Sequence, residues 1–474
     1  MSVVRRVAAV EWRMLWADRG QRAAAAVFAG CLILAVALGV ARARAEQTSV
    51  IWLEARAADQ FTSLARAVPG AAPAPGVAPS WGPSHPDFVA NDRGTHAVLP
   101  RAPLLELAVG QTDLYPNHFR ITARLRDSVM TGDQIENPLW LLTGHFDLAF
   151  VVLYLYPLLI LATAFDLTAS ERRSGALRML LAQPITLGAV LGGKALVRVV
   201  ALLAPVIVAP LLAVMTASTD AATTGRLALW TAAVVAYGAV WLGLALAVNA
   251  YGRTAATNAL ALAGVWMASA VVVPAAVNLA TLVLHPVPSR VEFANAARVA
   301  TRDAVVQGSQ LLGHFMEDHP TAGLDQGSLQ QFAVLQAARD EEVARRLQPV
   351  LEQYEAQLAR QHAFVDRLRY LSPTILAHGV LVDLAGTSGW RHRDFTEQAG
   401  RFQQEWRAFF EPFLLRVSPV SSDDYAKMPR FVYREEALAS VAGRTATPIA
   451  ALALFGAVLA AWGARVYRSY DLAG

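Results

Sequence analysis

One segment of the sequence has the spacing of a phosphate-binding loop. Residues 188–194 are Gly-Ala-Val-Leu-Gly-Gly-Lys, which fits the pattern G-x-x-x-x-G-K. In such loops the backbone amides and the lysine hold phosphates, and a serine or threonine after the lysine binds Mg²⁺. Ala195 follows here and has no hydroxyl, and the segment leads into an apolar run. We therefore expect no nucleotide to bind here, and we interpret Lys194 as a lysine at a cytoplasmic membrane interface.

Other residues that could do chemistry are scattered along the chain. The closest histidines, His314 and His319, are five positions apart, a spacing that puts them on different faces of a helix and disfavours a metal site. His392 lies between two arginines and is interpreted as part of a surface cluster. No Ser/His/Asp grouping can be placed from the sequence. We therefore expect this chain not to be an enzyme by itself, and to bind no metal and no cofactor of its own.

The elements that would position these residues are long apolar helices. Mean hydropathy is +0.36 and charged residues make up 16% of the chain, whereas about 25% is usual in soluble domains. A helix needs roughly 20 apolar residues to cross a bilayer, and six runs approach that length. They cover residues 23–41, 147–165, 195–217, 227–249, 257–283 and 446–463. The sequence therefore predicts an all-α integral membrane protein with a six-span helical bundle.

The distribution of arginine and lysine predicts the orientation of this bundle. Basic residues flank the spans at one end: Arg5, Arg6, Arg13, Arg19, Arg22, Arg172, Arg173, Arg178, Lys194, Arg253, Arg465 and Arg468. The short segment 218–226 at the other end carries only Arg226. The positive-inside rule then places both termini in the cytoplasm, with residues 464–474 as a tail. Because the net charge of +4 follows from this topology and no basic face is evident, we expect no nucleic-acid partner.

Residues 1–22 form a separate cytoplasmic element before the first span. Trp12 and Trp16 lie among charged residues there, which is typical of a helix at a membrane interface. The sequence Ala43-Arg44-Ala45 resembles a signal-peptide cleavage site. However, the region before the apolar run is long and contains acidic residues, and cleavage would leave an odd number of spans. We therefore favour a retained first span.

Two long insertions separate the spans, and the topology places both outside. The first, residues 42–146, begins with a helical stalk, continues through a Pro/Ala/Gly-rich loop, and has the alternation of a short strand at 119–125. The second, residues 284–445, is mostly helical, with apolar residues at helical spacing between 329 and 358. Its aromatic residues at 395–413 are interpreted as a helix-packing core. We expect two insert domains, the first mixed with a little β-structure.

The segment between the second and third spans, residues 166–194, is charged but keeps helical periodicity. Leu177, Leu180 and Leu181 fall on one face, with arginines around them, and Pro184 ends the helix. A short amphipathic helix between two spans suits the membrane surface or the groove of a partner protein.

The order of residue types in this segment resembles the coupling segment of ABC-2-type transporter permeases. The matching residues are Glu171, Gly175, Leu177, Leu180, Leu181, Pro184, Gly193 and Lys194. Four other segments resemble an uncharacterised bacterial subfamily of these permeases with large periplasmic inserts. They are residues 137–160, 285–293, 371–388 and 423–431. The resemblance thus extends over nearly the whole chain.

This resemblance implies a permease subunit in the bacterial inner membrane, working mainly in export, with periplasmic inserts. It implies a cytoplasmic ATPase subunit that binds ATP and Mg²⁺ and contacts the 171–183 helix, and a second permease, identical or a sibling. A periplasmic or outer-membrane partner is a further candidate. Residues 1–22 correspond to the family's elbow helix. The ATPase-coupling residues would be Glu171, Arg172, Gly175, Leu177, Leu180, Leu181, Pro184 and Lys194.

Two asparagines in the predicted fifth span have two interpretations. Polar groups inside a membrane usually face the bundle interior or a cavity. Asn258 and Asn278 could therefore line a transport path, or they could form hydrogen bonds between helices.

Two functions besides transport stay open from the sequence. The chain could be a mechanotransmitter, in which ATP hydrolysis moves the inserts to act on a partner protein without transport. It could also be a membrane-anchored periplasmic enzyme or sensor, although this does not explain the coupling segment. A wide cavity beside Asn278 would favour transport, whereas a dry, tightly packed seam would favour the transmitter.

Overall fold

The computed structural model describes most of the chain. The described residues are 3–68, 79–124, 145–176, 179, 182–183, 186–215, 220–251, 254–286, 290–308, 310, 317, 328–416 and 418–468. Most of these residues are helical, and a two-stranded sheet lies among them.

Within the described residues, six helices are long and apolar enough to cross a membrane, and each overlaps one predicted run. The helices that carry spans one to six are Arg19–Ala67, Leu148–Arg173, Leu187–Val214, Ala221–Ala250, Ala255–Leu284 and Leu438–Tyr467. The first helix continues beyond the apolar run 23–41 as the predicted stalk, residues 42–67. The chain therefore has the architecture of a multi-pass helical membrane protein.

In the described part of the chain, six further helices lie outside the spans. They are α1 (Val3–Ala17), α2 (Arg290–Val306), α3 (Ser328–Leu368), α4 (Pro373–Ala385), α5 (Gly389–Arg416) and α6 (Ser422–Lys427). Shorter turns are the π-helical Phe88–Arg93 and the 3₁₀ helices Thr112–Leu114 and Arg369–Leu371. We call the end of the bundle that carries the two insertions the insert end.

Spans two and five are each interrupted by a π-helical segment. These segments are Val151–Leu155 and Ala268–Val272, and each ends just before a helix with proline in its first turn, Pro157 or Pro274. Proline has no amide hydrogen to donate, so the regular hydrogen-bond ladder shifts around it. Span two also leaves the helical path after Ala164 and resumes at Ala169–Arg173.

Spans four and six form the closest helix pair of the bundle. A methyl group placed on Gly456 would lie 2.8 Å from the carbonyl carbon of Ala239, and one on Gly463 would lie 2.9 Å from the amide nitrogen of Ala247. Hydrogen as the only side chain is what allows this approach, as in other membrane helix pairs. Large buried side chains such as Trp230 fill the neighbouring core.

The two insertions share one hydrophobic core. Ile121 and Phe119 of the first predicted insert pack with Phe395 and Trp406 of the second. The Trp406 indole also donates a hydrogen bond to the carbonyl of Ala90 at 3.2 Å. A two-stranded sheet is too small to bury its own apolar face, so the helices of the second insertion supply the rest of the core.

The sheet is shorter than the sequence predicted. Strand β1 (Thr95–Val98) pairs antiparallel with β2 (His118–Ile121), with Thr95 opposite Ile121. The predicted strand 119–125 therefore begins one residue earlier and ends at Ile121. Side chains take the next hydrogen bonds, because Asn91 Oδ1 accepts from the Arg124 amide at 2.9 Å.

The aromatic residues of α5 between 395 and 413 form a packing core, as predicted. Phe395, Phe402, Trp406 and Phe410 are buried in it. Trp390, before this range, is 44% exposed and lies under the guanidinium groups of Arg393 and Arg444.

Helix α4 enters the bundle although it belongs to the second insertion. Its apolar residues, such as Leu381, join the core formed by spans two, four and six. At its start, Ser372 donates a hydrogen bond to the carbonyl of Ser269 at 2.7 Å, within the π-helical segment of span five. Tyr237 of span four lies 3.2 Å from the Thr374 hydroxyl and donates to the carbonyl of Leu153 in span two. The insertions are therefore tied to both interrupted spans.

Candidate coupling site at the end of span two

Side chains from three other spans bind the carbonyl groups at the end of span two. A helix leaves its last four carbonyls without helical partners, and here each contact comes from elsewhere in the bundle. The four donors are Arg198 to Thr163 at 2.9 Å, Asn249 to Ala164 at 2.8 Å, Asn258 to Phe165 at 3.3 Å and Lys194 to Leu167 at 2.9 Å. We call Lys194, Arg198, Asn249 and Asn258 the polar collar.

The two cations of the polar collar are buried and paired. Lys194 and Arg198 are 4% and 6% exposed. The Lys194 ammonium lies 2.6 Å from the Glu171 carboxylate and 3.4 Å from that of Glu11, and Arg198 lies 3.3 Å from Glu11. Positive charge is also favourable at a helix C-terminus, where the helix dipole is negative. Two cations and two carboxylates thus join α1, span two and span three.

Lys194, which we interpreted from the sequence as a lysine at a membrane interface, is a buried residue in the structure. It is buried because a carbonyl and two carboxylates surround its ammonium group. Residues 188–194 form the start of the span-three helix, with Thr186 capping the amide of Ala189. The segment therefore does not have the loop conformation in which backbone amides surround a phosphate.

Helix α1 packs against the start of span three. A methyl group on Gly193 would lie 2.6 Å from Cγ1 of Val7, so the two helices touch at this glycine. On the opposite face, Trp12 and Trp16 are 42% and 45% exposed, with their rings edge to face. Asp18 then caps the amide of Gly20 at 2.7 Å, which begins the helix of span one. This arrangement suits a helix lying at a membrane interface.

The base of the 166–194 segment is held by further contacts. Asp166 accepts a hydrogen bond from the amide of Ser170 at 2.8 Å, and the Thr168 and Tyr467 hydroxyls are 3.3 Å apart. Tyr467 lies near the end of span six, so α1, this segment and the last described residues meet at one end of the bundle. That end is opposite the insert end.

Beyond this base, the described residues of the segment are exposed or half-buried. Gly175 has φ of +76°, a left-handed conformation that glycine adopts without strain, and nothing lies within 4 Å of a methyl group placed there. Within the described chain, the backbone conformation and not a close neighbour accounts for this glycine. Met179 is 75% exposed. The described residues here thus include side chains that are open to solvent or to a partner.

Several predicted residues lie outside the described residues. These are Leu177, Arg178, Leu180, Leu181 and Pro184 of the coupling helix, and both histidines of the 314–319 pair. Among the described coupling residues, Glu171 binds Lys194, whereas Arg172 and Gly175 are half-buried. In the described part of the chain, no three His, Cys, Asp or Glu side chains come together as a metal site.

The two asparagines of span five occupy different environments. Asn258 is 1% exposed and donates to the Asn249 side chain at 3.3 Å, so it has a structural role between helices. Asn278 is exposed on the outer surface of this single bundle. That either residue lines a transport path stays a prediction.

Sequence reasoning missed three members of this site. Arg198 lies within the predicted third span and Asn249 at the end of the fourth. A polar residue in an apolar span usually faces the bundle interior and has a partner there, so both positions indicated polar contacts between helices. Glu11 was visible as an acidic residue in the interfacial helix. The partners of these residues come from other helices, so no local spacing pairs them.

Residues 290–434 match the family described as a domain of unknown function, DUF3526. The match extends from α2 to α6, and it includes α4, the helix that enters the bundle. No curated protein matches the chain significantly. The match identifies the second insertion as a recurring domain and assigns no activity to it.

Proposed function

We propose that this chain is the membrane permease subunit of an ABC transporter of the ABC-2 type. It would lie in the bacterial inner membrane, with both termini in the cytoplasm and the insertions in the periplasm. A separate ATPase subunit would bind ATP and Mg²⁺ and grip the 171–183 helix. The observation that carries this proposal is the polar collar, because it fixes the base of the 166–194 segment to four helices at once.

The polar collar suggests how force on the segment would reach the spans. A push on Glu171 would pass to Lys194, and from there to α1 through Glu11 and to span three directly. Buried charge pairs are costly to separate, so the connection would move as a unit. Asn249 and Asn258 would carry the same displacement to spans four and five.

A second permease is the partner that span five suggests. Only 17% of the most apolar window of this span is buried within the chain, and Asn278 is on its exposed surface. A polar side chain facing lipid is unfavourable. We infer that a second copy or a sibling permease covers this surface, and cargo would then pass between the two bundles.

A mechanotransmitter is the second candidate, and α4 favours it. This helix belongs to the matched domain yet packs inside the bundle. It is hydrogen-bonded directly to the π-helical segment of span five, and through Tyr237 of span four to that of span two. Movement of either span would therefore move the insertions. In this variant of the proposal, a periplasmic or outer-membrane partner would receive the motion and nothing would cross the membrane.

A measurement of nucleotide binding shows whether ATP is bound by a separate ATPase subunit, as proposed, or by this chain itself. We expect the purified chain alone neither to bind nor to hydrolyse ATP, whereas the complex isolated with its ATPase does both. Lys194→Ala should leave the nucleotide affinity of the complex unchanged, as measured with a fluorescent ATP analogue. A tight nucleotide complex with the chain alone, abolished by Lys194→Ala, would contradict the proposal.

A further inference from the structure

A cavity of about 370 Å³ lies at the insert end of the molecule. Its walls come from the stalk, from the turn around Thr112–Leu114 and from the junction of α4 with α5. Its volume is within the range of small-molecule sites, about 300–1,000 Å³. Its charged and aromatic lining residues are Arg42, Glu46, Asp113, Tyr115, Arg391 and His392.

Both arginines of this cavity already have carboxylate partners. Arg42 forms an ion pair with Asp113 across the cavity wall. Arg391 Nη2 lies 2.7 Å from a Glu435 carboxylate oxygen, and its Nε lies 3.0 Å from both oxygens of that group. These guanidinium groups are therefore neutralised by the protein itself.

Glu46 is the charged lining residue without such a partner. It lies one helical turn after Arg42, but Arg42 turns to Asp113, and Glu46 forms no hydrogen bond or ion pair with any other described residue. Burial raises the pKa of the Glu46 carboxyl, while the charges of Arg42, Arg391 and Arg101 act in the opposite direction. A hydrogen-bond donor from outside the chain would stabilise this carboxylate further.

The pairing of charges around the cavity selects the sign of that donor. Two carboxylates, Glu46 and Asp113, and two guanidinium groups, Arg42 and Arg391, line the cavity. Both guanidinium groups are paired, Arg42 with Asp113 and Arg391 with Glu435 beyond the lining, so Glu46 is the lining charge left without an ion pair. An anion would have to compete for arginines that are already paired and would meet the Glu46 carboxylate. A cation would find an acceptor that is ready for it.

An aromatic pair forms another part of the lining. The rings of Tyr115 and His392 are stacked, with centroids 4.2 Å apart and planes 11° apart. Aromatic faces bind carbon chains by burial and attract ammonium groups through their quadrupole. The cavity thus combines an acceptor for a cation with a surface for the carbon atoms attached to it.

We propose that this cavity binds a small primary amine, whose ammonium group pairs with Glu46 while its carbon chain packs on Tyr115 and His392. A primary ammonium group has three donors, which suits a carboxylate next to other lining oxygens such as the Ser49 and Thr387 hydroxyls. This ligand site goes beyond the coupling function and does not depend on it.

The amine could come from two sources that share this chemistry. Arg42 follows directly after the apolar run 23–41, so the cavity lies close to the predicted membrane surface. A soluble amine could enter from solvent, and the ethanolamine headgroup of a lipid could enter from the bilayer.

Calorimetric titration of the full-length chain in nanodiscs separates these sources. In discs of phosphatidylcholine, the probes are ethanolamine and 1,5-diaminopentane, with neutral 1,5-pentanediol and anionic succinate as comparisons. In a second set of discs, phosphatidylethanolamine replaces part of the phosphatidylcholine, and the melting temperature is measured. The test variant is Glu46→Gln, and the matched control is Glu54→Gln, an exposed glutamate on the same helix.

We expect a soluble amine or phosphatidylethanolamine to bind, and Glu46→Gln to weaken that binding by about tenfold or more, as for the loss of a hydrogen bond to a charged group. Glu54→Gln should bind as the wild type does, and binding should weaken as the pH falls and Glu46 is protonated. Glu46→Gln should melt no lower than the wild type, because burial disfavours the charged carboxylate.

The proposal is overturned if neither source binds, if succinate binds instead, or if Glu46→Gln binds amines as tightly as the wild type.

Discussion

At the scale of single residues, the end of span two depends on a few buried polar side chains. The carbonyls of Thr163, Ala164, Phe165 and Leu167 each accept a hydrogen bond from a side chain of another span, and the Asp166 side chain accepts one from the amide of Ser170. An unsatisfied buried carbonyl costs about 1–3 kcal/mol. The collar thus stabilises a helix end that the sequence alone would leave incomplete.

Among the residues of the polar collar, we expect removal of the Lys194 side chain to lower the free energy of unfolding most. Lys194→Ala would leave Glu171 without its 2.6 Å partner and Glu11 with Arg198 alone. Removing one partner of a buried pair costs about 3–5 kcal/mol, and we expect the lower end, because Glu171 is partly exposed. The measurement is denaturant unfolding of the purified chain. Lys427→Ala, the other lysine of the chain and an exposed one, is the control and should change little. Equal free energies of unfolding for the two variants would show that the ion pairs of Lys194 add nothing to stability.

The sequence identified some residues of this site and not others. Glu171 and Lys194 were found because they lie in one segment whose order of residue types is recognisable. Arg198 and Asn249 are 51 positions apart and meet only after spans three and four have packed. A hydropathy average over an apolar run is also little changed by a single arginine, so a residue such as Arg198 is noticed only when each position is considered separately.

At the scale of helices, the contact of α1 with span three links the interfacial helix to the polar collar. Gly193 has no room for a methyl group beside Val7, whereas a methyl group on Gly192 meets nothing within 4 Å. These neighbouring glycines differ in that one contact, and they offer a matched test of it.

Gly193→Ala should loosen α1, because its methyl group would collide with Val7. We expect faster tryptic cleavage at the arginines of α1, such as Arg13, in detergent-solubilised protein. Gly192→Ala should be cleaved at the wild-type rate and gain about 0.5–1 kcal/mol of helix stability from the loss of glycine. If both variants are cleaved at the same rate, α1 does not depend on this contact.

Helix α4 should move together with span five. The hydroxyls of Ser269 and Ser372 are 3.1 Å apart, so cysteines at both positions should form a disulfide in a Cys31→Ala background. If the two helices form one rigid unit, this crosslink should leave ATP turnover of the complex unchanged. The reduced double-cysteine protein is the control. Turnover that stops on oxidation and returns on reduction would show that α4 separates from span five in each cycle.

The helices differ in how well their sequences predicted them. Spans were predictable because length and hydropathy decide whether a helix crosses a bilayer. Helix α4, Pro373–Ala385, is apolar but too short to cross, so its place in the bundle core could not be read from its length. Strand β1, Thr95–Val98, has only four residues, and its pairing with β2 is set by the surrounding core.

At the scale of the whole molecule, the two ends of the bundle are built differently. One end gathers α1, the coupling segment and the last described residues around buried charge pairs. The insert end joins both insertions in one core and holds the cavity with Glu46. This difference between the two ends suits a subunit that would receive the energy of ATP hydrolysis at one end and use it at the other.

Orientation in the membrane is the next prediction. In a Cys31→Ala background, single cysteines at Asp92, Asp220 and Glu352 should react with an impermeant thiol reagent in intact cells. Cysteines at Val10 and Ser174 should react only after the membrane is permeabilised. All five positions have exposed side chains, so burial does not account for a difference. Labelling at Ser174 in intact cells, with none at Glu352, would reverse the topology.

The central claim is that the 171–183 helix holds the ATPase, and co-purification tests it most directly. A tagged Leu177→Asp/Leu181→Asp variant is compared with the wild type and with Met179→Asp, which lies off the leucine face at helical spacing. Losing buried leucines at such a contact would cost about 2–4 kcal/mol. We expect the double variant to insert normally yet to lose its ATPase or the function that hydrolysis drives, while Met179→Asp retains both. If the double variant keeps its ATPase with full activity, the helix is not the coupling element and the proposed function is contradicted.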